Sequence, residues 1–123
     1  MSLVSIIMPY YKKDLYVEEA IDSIINQTHQ EFEIILIDDE ISEKSNVVLE
    51  KIKKRDKRIK IIYNIKNLGA GESRNMGIRF AKGEYIAFCD CDDFRVYDLL
   101  EKNRKNLWVY RFTILYWLYS LCF

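Results

Sequence analysis

The sequence predicts an α/β fold, a parallel sheet with helices packed against it. Three observations carry this reading. Four short apolar runs, Leu3–Met8, Phe32–Ile37, Arg58–Tyr63 and Tyr85–Cys89, have the length and the β-branched or aromatic content of strands. Between them lie stretches whose apolar residues recur at helical spacing. Each of these runs empties into a polar cluster, so the chain reads β-α-β-α-β-α-β with its chemistry at one end of the strands.

Composition supports a packed domain. The chain has 123 residues and an apolar fraction of 50 %, enough for a core of its own. Nineteen basic and nineteen acidic side chains cancel, so no overall charge steers it to nucleic acid. Three cysteines, Cys89, Cys91 and Cys122, are an odd number with two of them nearly adjacent, which fits reduced thiols in a cytoplasmic protein better than a disulfide framework. A zinc site would need ligands that only the distant Cys122 and His29 could add, and His29, in a loop, reads as a surface or structural residue.

Leu3–Met8 is a buried strand that Pro9 is expected to end, leaving Tyr10 and Tyr11 at its carboxyl end. Asp14 is placed to cap a first helix carrying Val17, Ala20, Ile21, Ile24 and Ile25 on one face. Phe32–Ile37 follows and runs into Asp38 and Asp39. Ser42 is expected to cap a second helix with Val48, Leu49 and Ile52 inward and Lys51, Lys53, Lys54 and Arg55 in water. After the strand Arg58–Tyr63 comes a polar loop, 64–71, with Asn67, Gly69 and Gly71, then a third helix from about Glu72 to Lys82 that Gly83 stops. The last strand, Tyr85–Cys89, delivers Asp90, Asp92 and Asp93 to the same rim.

Carboxylates crowded at a strand end repel one another unless a cation lies among them. The ordinary solution is Mg²⁺ or Mn²⁺ held by carboxylate oxygens together with substrate phosphates; the bland alternative is an acidic turn before a helix. Convergence of four polar clusters (Pro9 to Lys13, Asp38 with Asp39, the 64–71 loop, and Asp90 to Asp93) on the carboxyl edge of one sheet favours the ligand site.

VSIIMPYY, QTHQEFEIILIDD, NLGAGESRNMGIRFAKGEYIAF and the DCDD tetrad, in this order, resemble the amino-terminal half of the family 2 glycosyltransferases of the GT-A type, over about Leu3 to Phe94. The resemblance implies a truncated, Rossmann-like nucleotide-binding half, residues 1–96, followed by a helical or apolar tail at 97–123. It also implies a nucleoside diphosphate sugar donor, usually with uracil, and transfer to a saccharide or lipid-linked acceptor. Asp39 and Arg74 would help hold the base, which Pro9 and Tyr10 border; Asp38 and Asn67 would also belong to the nucleotide-sugar site, and Asp90 and Asp92 would serve the ribose and the metal-bound diphosphate. Two departures stand out. Glu40 and Ile41 replace the glycine and serine that usually follow the paired aspartates, and after Arg95 the resemblance fades, without the acceptor half and its general base. The chain is therefore expected to bind donor but to transfer sugar slowly. A non-catalytic nucleotide-binding module and an interaction domain are the other readings.

In the tail, LWVYRFTILYWLYSLCF, fourteen of seventeen residues are apolar. Such a stretch needs cover, from the core, from a partner or second copy, or from contact with the inner face of a membrane; at ~1.5 Å per residue it is short for a ~30 Å hydrocarbon core.

Overall fold

The computed structural model describes residues 3–27, 29–89 and 109–111. Eight elements follow in order: β1 (Val4–Tyr10), α1 (Val17–Ile25), β2 (Phe32–Asp38), α2 (Glu43–Lys53), β3 (Ile59–Tyr63), α3 (Gly69–Phe80), β4 (Tyr85–Phe88) and β5 (Val109–Arg111). The sheet order is β3-β2-β1-β4-β5. The first four strands are mutually parallel, and β5 pairs antiparallel with β4. Three residues of the apolar tail thus add an edge strand to the sheet.

Alternation within the strands divides the core in two. Val4, Ile6, Met8 and Tyr10 with Ile34 and Leu36 meet Val17, Ala20, Ile21 and Ile24 of α1 and Leu49 and Ile52 of α2. Ile7, Ile35, Ile37 and Ile86 turn to the other face, where α3 lies with Ile78. All seven residues of β2 are buried, as a central parallel strand covered on both faces requires. On the α3 face the approach is close: a Cβ at Gly77 would stand 2.5 Å from Cγ2 of Ile7, so only glycine lets the helix settle there.

Four expectations shift. Pro9 does not end β1, which continues to Tyr10. The backbone of odd-numbered residues of β1 faces β4, as the Cys89 N–H bond to the Ile7 carbonyl shows, and that ladder stops at Ile7 and Phe88, so no bond needs the missing N–H of Pro9. Asp14 does not cap α1. The helix begins from Tyr16 without a side-chain cap, while Asp14 pairs with Lys44 at 3.1 Å, a contact that lowers its pKa. The third helix starts at Gly69 rather than near Glu72, and it ends at Phe80, ahead of Gly83. Ser42 does cap α2, in a reciprocal box in which Ser42 Oγ accepts from Ser45 N and Ser45 Oγ accepts from Ser42 N.

At the amino end of the strands a buried polar knot ties three elements. Ser5 Oγ donates to Glu33 Oε1 at 2.6 Å, Lys82 N donates to the same oxygen at 2.7 Å, and Lys60 Nζ meets Oε2 at 2.6 Å. Gly83 N donates to Ser5 Oγ at 2.8 Å. Burial pushes the Glu33 carboxyl up, but the bonds from Lys60, Ser5 and Lys82 outweigh it and hold the pKa below its ordinary value of 4.5. Among the described residues no helix is long and apolar enough to cross a membrane.

Two outcomes are expected. A Cβ at Gly83 would lie 2.7 Å from Ser5 N and 2.8 Å from Leu3 O, backbone atoms that cannot step aside, so Gly83→Ala should cost about 1–3 kcal/mol in urea unfolding. Because the Glu33 pKa is depressed on folding, its contribution is complete above pH 4.5 and is lost as pH falls through the folded value. Glu33→Gln should flatten that acid limb of the stability curve, and an unchanged limb would assign it to other carboxylates.

Candidate functional site

The strand order sends β2 and β3 to one side of β1 and β4 to the other, so the carboxyl end of β1 is the switch point where an open parallel sheet leaves a crevice. The β1–α1, β2–α2 and β3–α3 loops line this rim. Cys89, the residue before Asp90 in sequence, is still bonded to Ile7 of β1. Cys89 itself is buried in the core cluster on the α1 and α2 face.

Asp39 is the centre of the rim. It is only 3 % exposed. Its Oδ1 accepts from Asn64 Nδ2 at 3.0 Å and from Leu68 N at 2.7 Å, and its Oδ2 accepts from Gly69 N at 2.9 Å. Leu68 and Gly69 open α3, so a carboxylate just past the end of β2 caps a helix on the far side of a loop, where the positive end of the helix dipole also favours it. Asn67 Nδ2 donates to the Asp39 carbonyl at 2.9 Å, and Asp39 N donates to the Tyr10 carbonyl at 2.9 Å. One residue thereby holds the ends of β1, β2 and β3 and the start of α3. A carboxylate offers about four acceptor positions, and three are taken by described residues.

Asp38 points to the opposite face and does different work. Its Oδ1 accepts from Glu40 N at 3.1 Å and Ile41 N at 3.3 Å, and its Oδ2 accepts from Ser45 Oγ at 3.0 Å. It shapes the β2–α2 turn and anchors the cap of α2. In that turn Ile41 sits at φ 57, the left-handed region that a β-branched side chain resists. The substitution of Glu40 and Ile41 for a tight turn is thus carried as backbone strain.

The remaining predicted residues fall into three groups. Tyr10 is fully buried in the core, so only its backbone reaches the rim; the aromatic exposed there is Tyr11, at 46 %. Sequence reasoning set both tyrosines at the strand end but named Tyr10 rather than Tyr11 as the site residue, although the alternation of β1 turns residue 11 away from the face that buries Tyr10. Pro9 pairs with Ile37 inside the strand. Arg74 lies half-buried on α3, five residues beyond Gly69 or ~7.5 Å along the axis, on the same helix that Asp39 caps. Asp90, Asp92 and the rest of the acidic tetrad lie outside the described residues, as does most of the tail 107–123. Among the described residues no group of three potential ligands could hold a metal ion. Asp38 and Asp39 are engaged by N–H and O–H donors.

Comparison with known proteins agrees with this architecture. The sequence profile of "Glycosyl transferase family 2" matches residues 5–107. An uncharacterized glycosyltransferase of Haemophilus influenzae is 38 % identical over 122 residues, covering 99 % of this chain and 49 % of the relative. The uncharacterized glycosyltransferase EpsJ of Bacillus subtilis is 45 % identical over 92 residues, covering 75 % of this chain and 26 % of the relative. This chain thus spans about half the length of these relatives or less. Among solved structures, TarS residues 1–349 of S. aureus superposes with a TM-score of 0.70 at 28 % identity, over 82 % of this chain and 31 % of that one. The mannosyltransferase PcManGT of Pyrobaculum calidifontis, with a TM-score of 0.72 at 20 % identity over 80 % of this chain and 30 % of that one, shares the fold. The fold is therefore the GT-A type, Rossmann-like α/β arrangement, and with the profile covering most of its length the chain belongs to glycosyl transferase family 2.

Proposed function

We propose that this chain is the donor-binding part of a glycosyltransferase, taking a nucleoside diphosphate sugar whose sugar passes to a saccharide or lipid-linked acceptor. The observation that carries it is the Asp39 carboxylate at the switch-point rim, fixed by three donors and left with acceptor capacity for one more. A uracil base offers one such donor, its imide N–H, flanked by two carbonyls that need donors in return. Arg74, with a planar fork of N–H groups on the helix that Asp39 caps, is suited to one of them. Tyr11 offers an exposed ring at the end of β1 for the base face. Likeness to TarS, of which a complex with UDP-GlcNAc is known, supports uridine as the nucleoside.

The diphosphate belongs at the β4 end of the rim. Asp90 and Asp92 would hold Mn²⁺ or Mg²⁺ there, and the ion would stabilise the charge of the leaving diphosphate. The residues of this chain then divide the work: the β2 and β3 ends and α3 orient the nucleoside, and the β4 end receives the charged part.

Isothermal titration of UDP with Mn²⁺ tests the reading. UDP should bind with Mn²⁺ and lose most of its affinity in chelator, and Asp92→Ala should abolish the effect of the metal; equal binding in chelator would sink the acidic-tetrad assignment. Uridine alone separates the base contacts from the diphosphate. Arg74→Ala should weaken uridine about tenfold, whereas Asp39→Ala should weaken uridine and also cost at least ~2 kcal/mol of stability through the lost cap. Uridine affinity that is unchanged in both variants would remove them from the base site.

A further inference from the structure

Three consecutive βα loops each present an apolar side chain to solvent at the same rim. Leu15 in the β1–α1 loop is 81 % exposed, Ile41 in the β2–α2 loop 42 %, and Ile65 in the β3–α3 loop 98 %. The loops are not independent. The Lys44–Asp14 pair joins the first loop to the start of α2, the Asp39 N–H bond to Tyr10 joins β2 to β1, and the Asn67 bond to Asp39 joins the third loop to the second. The apolar tips therefore move as one surface. Ile41 is the informative member: an isoleucine at φ 57 is strained, and its exposed side chain gains little from folding, so burial against something else accounts for its presence.

The charges beside the tips select the occupant. Lys12 and Lys66 are exposed neighbours of the first and third tips, and among the described residues neither takes part in an ion pair. Lys12 instead lies 5.3 Å from the centroid of the Tyr11 ring. Of the acidic residues at these loops, Asp14 is matched by Lys44, Glu43 stands in the first turn of α2 where the helix dipole favours it, and Glu40 is half-buried. Exposed apolar tips interleaved with lysines suit a bilayer interface, where the tips reach the acyl boundary and the lysines the phosphates.

We infer that this rim docks on an anionic lipid surface through Leu15, Ile41 and Ile65, with Lys12 and Lys66 against the headgroups. The contact as proposed uses none of the tail residues and does not depend on the donor assignment. Co-sedimentation with phosphatidylcholine vesicles, with and without phosphatidylglycerol, tests it on the full chain. The protein should pellet with the anionic vesicles. Leu15→Ser with Ile65→Ser should lower the partition coefficient about tenfold per residue, and Lys12→Glu with Lys66→Glu should lower it at least about tenfold. All four positions are exposed, so circular dichroism and the melting temperature should stay as in the parent. Pelleting that is unaltered by either pair, as binding through the tail alone would give, overturns the proposal. So does pelleting indifferent to phosphatidylglycerol, absence of pelleting, or self-association through these residues without vesicle binding.

Discussion

The capping of α3 by Asp39 is the constraint on which the rest of the rim depends. A carboxylate taken out of water is costly unless donors replace its hydration, and here two backbone N–H groups and an asparagine amide do so. Bonds to a charged group are worth about 1.5–3 kcal/mol each, so this one side chain fixes where α3 begins. The position of the helix in turn sets that of Arg74 and brings Gly77 onto Ile7. Asp39 thus has a structural load apart from any ligand, and its affinity effects need to be read beside its effect on stability.

The other end of α3 is held in a different way. There the chain leaves the helix through Lys82 and Gly83, whose N–H groups bind Glu33 and Ser5. The α3 segment is thus anchored by two acidic residues, Glu33 near the start of β2 and Asp39 just past its end. Between them the α3 contact is apolar and close-packed, so the helix has little freedom to slide along the sheet.

The strands were legible because parallel strands buried on both faces read as plain β-branched runs, and all four expected runs are strands. The cap of α2 was legible because Ser42 and Ser45 are local partners. The start of α3 was not, since its cap comes from Asp39, about 30 residues upstream, and no spacing rule reaches that far. Asp38 and Asp39 looked alike in sequence, yet alternation along the chain sends one to α2 and the other to α3. Tyr10 and Tyr11 part in the same way. The family was readable from several motifs in order, and the matching profile bears this out.

The order of strands also bears on how the molecule comes to exist. Pairs between β1 and β2 or β2 and β3 join residues about 25 to 28 positions apart, whereas β1 and β4 join residues about 81 apart. Closing the longer loop from an open chain costs about 1 kcal/mol more in entropy, and such non-local pairings come late. The Asp39 side of the rim belongs to the early, local part of the sheet, and the β4 side to the late one. A chain still emerging or partly unfolded would hold Asp39 and its loop in place before β4 arrives, so the two sides of the rim meet only in the final docking of the sheet.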